Sequence, residues 1–175
     1  MTAPSLEKPR VSFAFFHGRS LMSRMIEFFT RSRVSHVGFV LYGSSEPSKW
    51  TLIETWNHSG GVRTWWDYSS FEEHSPGTVV EVLSLEVTDE QFTAVREGFL
   101  ALARKREPYN WLGVLDFVVK FLPERRPGKS FCSEGAWRVL AGALGIDVEA
   151  SRVSPEEMRD LLLSMGAKSE LTFTL

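Results

Sequence analysis

The chain has 175 residues, a net charge of −2, 43% hydrophobic residues and 13% aromatic residues, among them six tryptophans. This composition predicts a globular protein with one sizeable core, excludes a disordered chain, and argues against a general nucleic-acid binder. The single cysteine excludes an internal disulfide framework. We expect a cytoplasmic protein, because residues 1–10 lack the apolar segment of a secretory signal and no apolar run approaches the ~20 residues of a membrane span.

The pattern of the chain predicts a flexible arm over residues 1–10 and a single domain over 11–175. β-branched, aromatic and alternating apolar residues indicate strands, and apolar residues at helical spacing indicate helices. The predicted strands cover residues 11–16, 36–42, 50–56, 78–87 and, at a sheet edge, 171–175. The predicted helices cover residues 21–29, 88–106, 111–121 and 132–144, with a last helix opening at Ser154 and Pro155. Two helix starts carry capping signals, Thr88 with Gln91 and Ser154 with Glu157. A long turn-rich segment over residues 57–77 separates the early strands from the later ones.

Cys132 is the only cysteine, and it stands where a loop containing Pro127 and Gly128 runs into a helical apolar pattern. A side chain in the first turn of a helix faces unpaired backbone N–H groups and the positive end of the helix dipole. Both favour thiolate, which is the nucleophilic form of cysteine. The alternative is a small buried hydrophobe, since free cysteines are often buried.

His36 opens the strand over residues 36–42, and Glu54 is the only charged residue in the neighbouring strand over 50–56. A buried carboxylate is costly unless it is paired. A carboxylate that pairs with a histidine fixes the tautomer and orientation of the ring, and such a histidine can activate a thiol. These residues therefore suggest an orienter, a base and a nucleophile.

The order of histidine strand, carboxylate strand and cysteine helix resembles the circularly permuted papain-like cysteine hydrolases, the NlpC-type superfamily, including its lecithin:retinol acyltransferase-like branch. The likeness spans roughly residues 11–140. Four segments carry it: residues 21–30 ahead of residues 35–38, residues 53–55 with residues 61–63, Pro108-Tyr109-Asn110-Trp111-Leu112-Gly113, and Phe131-Cys132-Ser133-Glu134. The resemblance implies an α+β fold in which an antiparallel β-sheet packs against helices, with the catalytic cysteine at a helix N-terminus.

The resemblance also implies roles for individual residues. Cys132 would be the nucleophile, His36 the general base and Glu54 the third polar residue, for which Asn57 and His58 remain rivals. Tyr109 and Ser133 would contribute to oxyanion or substrate binding, with packing beneath the site as the alternative for Tyr109. No cofactor is implied.

The expected function is that of an amidase- or peptidase-type cysteine hydrolase acting on a peptide or isopeptide through a thioester. The alternatives are a lipid-directed acyltransferase or esterase acting on an acyl lipid, and a non-catalytic binding module that has kept the fold. Basic residues around the apolar helices would allow peripheral membrane contact, although ordinary solvated arginines are the favoured explanation. No metal site is expected, because His17, His58 and His74 show no ligand spacing with Cys132. The aromatic residues Trp65, Trp66 and Phe71 either wall a substrate groove or cover the sheet.

Overall fold

The protein is an α+β structure in which a six-stranded antiparallel sheet packs against three helices. The α+β class and the antiparallel sheet are confirmed. The computed structural model describes residues 8–19, 23–24, 27–28, 32–42, 46, 49–55, 57–58, 61–62, 65–107, 132–147 and 153–175, with only the backbone described at 42, 57–58 and 61–62.

The strands of the large sheet lie in the order β6-β3-β2-β1-β7-β8, and β4 and β5 form a separate two-stranded ribbon. Their bounds are β1 Arg10–His17, β2 His36–Tyr42, β3 Thr51–Glu54, β4 Asn57–His58, β5 Gly61–Val62, β6 Asp67–Ser70, β7 Val79–Glu86 and β8 Lys168–Thr174. The strands predicted over 11–16, 36–42, 50–56 and 78–87 are confirmed to within a few residues. The predicted edge strand over 171–175 begins earlier, at Lys168, where it pairs with Ser84.

The two faces of the sheet bury different sets of side chains, because successive residues of a strand point to opposite faces. The helix face is defined by Val11, Phe13, Phe15, Val37, Phe39, Ile53, Leu83 and Leu85, which share one core cluster with the helices. The second face is defined by Ala14, Phe16, Leu52, Val80 and Val82, which form a smaller cluster with Phe71. The sheet is therefore buried on both sides along its central strands.

Three helices have bounds within the described residues: α1 Asp89–Lys105, α2 Cys132–Leu144 and α3 Pro155–Ser164. Both predicted capping boxes are present, Thr88 with Gln91 ahead of α1 and Ser154 with Glu157 ahead of α3. Each satisfies backbone N–H groups that the first turn leaves unpaired. The predicted cysteine helix is confirmed over residues 132–144, and Gly145 follows it with φ of 67°, as expected at a helix C-terminus.

Helices α1 and α2 pack closely where Gly98 faces Val139. A Cβ atom at Gly98 would lie 2.6 Å from Val139 Cγ1, so a larger residue would force this contact to shift. Helix α3 is tied to the sheet by Arg159, whose guanidinium donates to both carboxylate oxygens of Glu81 on β7 at 2.6 and 3.2 Å. These contacts hold the cysteine helix within a fixed layer on the helix face.

The segment predicted as a long turn-rich stretch over 57–77 contains more regular structure than expected. Its described residues include β4, β5, β6 and a short 3₁₀ turn at Phe71–Glu73. Strand β6 escaped prediction because Asp67, Tyr68, Ser69 and Ser70 lack an apolar alternation. Tertiary pairing with β3 forms it instead.

Some predictions lie wholly or partly outside the described residues. Of the helix predicted over 21–29, the described residues Ser23, Arg24, Glu27 and Phe28 are helical. The helix predicted over 111–121 lies outside the described residues, as does most of the predicted arm over 1–10. Arg10 already belongs to β1, where it pairs with Glu86. Across the part of the chain that the structure describes, no helix combines the length and apolar character needed to cross a membrane.

Candidate active site

His36 stands at the first residue of β2, and the backbone just before it fixes where that strand begins. The N–H and hydroxyl of Ser35 both donate to the carbonyl of Phe16, at 2.8 and 3.0 Å. His36 is then paired with Phe16 in the β1–β2 register. The ring is buried, with only 3% of the residue exposed. Its position at a strand end lets it contact groups from both faces of the sheet.

Glu54 ends β3 and lies on the second face, fully buried. Its Oε2 accepts a hydrogen bond from His36 Nε2 at 2.9 Å. Its Oε1 accepts from His74 Nε2 at 3.0 Å and also from the hydroxyl of Ser69. Three donors therefore surround one carboxylate, which is the arrangement a buried negative charge requires.

Gly38 leaves room for this carboxylate on the neighbouring strand. It lies two residues after His36 and so on the same face. A Cβ atom at Gly38 would come within 2.9 Å of Glu54 Oε2 and 3.3 Å of Glu54 Cβ. The absence of a side chain at Gly38 lets Glu54 lie against β2 and reach His36.

Cys132 is the first residue of α2 and is buried, with 4% of the residue exposed. Its side chain is hydrogen bonded to His36, and because Nε2 of that ring faces Glu54, Nδ1 is the nitrogen available to the sulfur. Cys132 belongs to the core cluster of the helix face, whereas Glu54 lies on the second face. His36, at the start of β2, contacts both Cys132 and Glu54.

The electrostatics of the three groups favour a charged pair at His36. Burial lowers the pKa of the His36 ring, but the charge of Cys132, its hydrogen bond and the contact with Glu54 outweigh burial and raise that pKa to about 10. Burial raises the pKa of Glu54, but the charges and hydrogen bonds of His74 and His36 lower it well below its ordinary value of 4.5. These shifts favour the protonated form of His36, which lies between Cys132 and the Glu54 carboxylate.

The structure brings together Cys132, His36 and Glu54 among the residues that the sequence singled out. Ser133 lies beside Cys132, fully buried, and its hydroxyl donates to the carbonyl of Val153 at 2.6 Å. Its predicted role in substrate binding stays a prediction, and the hydroxyl proton is engaged by Val153. Tyr109 lies outside the described residues.

The rivals of Glu54 for the third role lie in the two-stranded ribbon. Asn57 and His58 form β4, for which the backbone alone is described. Glu54 is the carboxylate that bonds to His36. Trp66 and Phe71 are fully buried, which agrees with the alternative that aromatic residues of this segment cover the sheet.

Sequence reasoning missed His74 and Ser69 as partners of Glu54. His74 follows the 3₁₀ turn at Phe71–Glu73, and its ring stacks on Phe16 with centroids 4.1 Å apart and planes 12° apart. One signal was available: a fully buried carboxylate needs more than one donor. Nothing local in the sequence identifies which residues supply them.

Metal-ligand clusters are absent among the described residues, where no group of three or more histidine, cysteine, aspartate or glutamate side chains could hold an ion. His36 and His74 each direct Nε2 at a different oxygen of the Glu54 carboxylate, at 2.9 and 3.0 Å. Those distances are typical of hydrogen bonds.

Comparison with known proteins gives a likeness of fold. No protein-family model matches the sequence, and no curated protein matches it. Among solved structures, the chain is similar to the metalloprotein yiiX of Escherichia coli O157:H7, a DUF1105 protein. The two are 18% identical, 96% of each chain is covered, and the TM-score is 0.50. At this identity the similarity concerns the fold alone.

Proposed function

We propose that this protein is a cysteine hydrolase of the amidase or peptidase type, built on a permuted papain-like fold. The observation that carries the proposal is the placement of His36. Its ring is hydrogen bonded to Cys132 on one side and to Glu54 on the other, and it is buried away from water. A nucleophile, a base and an orienting group, hydrogen bonded in that order, form the arrangement that activates thiols.

The chain order and the helix start support the permuted form of the fold. The histidine strand precedes the cysteine helix, with Cys132 at the first residue of α2. The first turn of a helix offers unpaired N–H groups and a positive dipole end, which stabilise a negative sulfur. The same N–H groups are suited to an oxyanion that forms beside the sulfur.

The proposed reaction follows from these positions. In the resting thiolate–imidazolium pair the proton of Cys132 is already on His36, and the sulfur attacks a substrate carbonyl carbon, forming a C–S bond while the carbonyl electrons move to oxygen. The tetrahedral intermediate collapses, the C–N bond breaks, and His36 returns its proton to the leaving amine. Water then attacks the thioester as His36 accepts its proton. The C–S bond breaks, which frees the acid and restores the thiolate–imidazolium pair.

Acyl-enzyme trapping tests the proposal. The protein is incubated with a panel of peptide and isopeptide amides of a fluorescent amine and with matched acyl esters, and intact mass is recorded after acid quench. We expect an acyl adduct that hydroxylamine removes and that maps to Cys132. Cys132→Ala should abolish the adduct, and His36→Gln should slow its formation by about 10²–10⁴-fold, the range for a general acid–base.

His17→Gln is the matched control, because the ring of His17 is hydrogen bonded to a backbone carbonyl, that of Arg33, and not to Cys132 or Glu54 among the described residues. It should behave as the wild type does. Adducts confined to the esters would favour the lipid-directed alternative. Absence of any adduct, with Cys132 alkylated no faster than a free model thiol, would contradict a hydrolase and favour a non-catalytic module.

A further inference from the structure

We propose that His74 is a positioning residue that acts on His36 through Glu54, with Ser69 as its companion donor. The inference deepens the proposed function and rests on it. It extends the site from three residues to a chain that runs from Cys132 through His36 and Glu54 to His74. No part of the sequence pattern or of the fold likeness assigns a role to His74.

The hydrogen bonds of Glu54 show why a second anchor is needed. The carboxylate is fully buried, and His36 satisfies only Oε2, at 2.9 Å. With no other partner, Oε1 would be a buried charged atom without a donor, and the group could rotate about its last bond. His74 Nε2 at 3.0 Å and the Ser69 hydroxyl both donate to Oε1. With donors on both oxygens, the plane of the carboxylate is fixed where Oε2 meets His36.

His74 is itself held from two sides. Its backbone N–H donates to the carbonyl of Phe71 at 3.1 Å, which closes the 3₁₀ turn. Its ring stacks on Phe16, with centroids 4.1 Å apart. Phe16 also contacts the ring of His36, with centroids 5.4 Å apart and planes tilted by 40°. One aromatic ring therefore lies against both histidines and keeps them on opposite oxygens of Glu54.

The register of the sheet brings Ser69 and the turn that carries His74 to Glu54. Strand β3 pairs with β6, so that Leu52 is opposite Ser69 and Glu54 is opposite Asp67. Ser69 is thus a diagonal neighbour of Glu54 on the same face, within reach of its side chain. The 3₁₀ turn follows β6 directly and delivers His74. Strand pairing fixes Ser69, and the turn that follows the strand fixes His74, which suits both donors to hold a reacting group within a narrow range of positions.

Two substitutions at position 74 separate the hydrogen bond from packing. His74→Leu fills a similar volume but removes the N–H, whereas His74→Gln places an amide N–H near the position of Nε2. We expect alkylation of Cys132 by iodoacetamide at pH 7 to slow by about 10–100-fold in His74→Leu, the loss expected for one hydrogen bond to a charged group. His74→Gln should restore the rate to within about threefold of the wild type.

Ser84→Ala is the matched control for the fold. Ser84 is a buried residue of β7, and its hydroxyl is hydrogen bonded to that of Ser12 at 2.8 Å. Strands β1 and β2 separate it from Glu54 on β3. This variant should leave the alkylation rate unchanged while removing a partly buried hydrogen bond of the sheet. Ser69→Ala, in contrast, should slow the alkylation of Cys132, as His74→Leu does. Thermal unfolding of each variant verifies that the chain is folded at the assay temperature.

A spectroscopic measurement keeps the inference testable even if His74→Leu fails to fold. In ¹⁵N-labelled wild-type protein, the Nε2-bound protons of His36 and His74 should both give slowly exchanging, downfield signals, because both point into a buried carboxylate. In His74→Gln the His36 signal should persist near its wild-type position. Absence of a protected His74 Nε2 proton in the wild type would overturn the inference.

The outcomes distinguish the inference from the proposed function. If wild-type Cys132 forms acyl-enzyme and His74→Leu reacts as fast as Ser84→Ala, the positioning role is wrong and the hydrolase proposal stands. If the wild type forms no acyl-enzyme but both histidine protons are protected, the hydrolase proposal is wrong and the hydrogen-bond chain is structural. Slowing in His74→Leu with recovery in His74→Gln supports the positioning role.

Discussion

Replacing Glu54 with glutamine is the sharpest perturbation of the site, because it removes a charge and changes the outline of the side chain very little. Three donors point at this carboxylate, from His36, His74 and Ser69. An amide has one acceptor oxygen and one NH₂ group, so at least one of these donors must face another donor. The variant therefore loses a hydrogen bond and leaves the imidazolium of His36 without its buried counter-charge.

The expected magnitude follows from the burial of the group. Removing one partner of a buried ion pair costs about 3–5 kcal/mol of unfolding free energy. For a chain of this size each kcal/mol lowers the melting temperature by about 2–4 °C, which gives a decrease of roughly 6–20 °C. Burial of the His36 ring lowers its pKa and Cys132 raises it, with Glu54 adding to the rise, so Glu54→Gln should bring that pKa down from about 10. Turnover should fall while alkylation of Cys132 stays measurable.

The assay combines denaturant unfolding with an NMR titration of the His36 ring protons. Glu81→Gln is the matched control, since Glu81 is a partly buried carboxylate that is paired with Arg159 and separated from β2 by β1. It should leave the pKa of His36 unchanged. The wild type should also lose stability as the pH falls below 4.5, because the pKa of Glu54 is lower in the folded state. Its contribution is complete above its ordinary pKa and is lost as the pH falls toward the lower, folded-state pKa. Glu54→Gln should lack that part of the acid dependence. If His36 titrates at the same pH in wild type and Glu54→Gln, the reasoning is refuted.

Three further predictions test neighbouring parts of the argument. Burial lowers the pKa of His36 and the charge and hydrogen bond of Cys132 raise it, so Cys132→Ala should lower that pKa from about 10, as followed by NMR; an unchanged titration would contradict the thiolate–imidazolium pair. Gly38→Ala should lower the free energy of unfolding by about 1–3 kcal/mol and reduce turnover, because the new Cβ would lie 2.9 Å from Glu54 Oε2. Denaturant unfolding and a turnover assay measure the two effects, and no change in either would contradict the prediction. Ser154→Ala should destabilise the protein by about 1 kcal/mol in thermal unfolding without altering Cys132 alkylation, because the cap that it removes bonds to Glu157 and not to Cys132, His36 or Glu54.

The helices were readable from local sequence because their signals are short-range. A capping box needs residues three positions apart, and both boxes are formed as predicted, at Thr88 and at Ser154. The start of α2 at Cys132 could be predicted for the same reason, since a loop rich in proline and glycine gives way there to apolar residues at helical spacing. The placement of His36 at the start of β2 followed from the β-branched run after it.

The partners of the site were decided by tertiary structure. Ser69 and His74 lie 15 and 20 residues beyond Glu54, and they reach it only because β3 pairs with β6 in one particular register. Strand β6 has little apolar character of its own, so its pairing cannot be predicted from its sequence. The need for a close approach at Gly38 is also invisible until β2 and β3 are aligned. The sequence by itself determined which residues could react, because reactivity depends on residue type and on the local helix or strand. The long-range strand register decided which donors fix them in place.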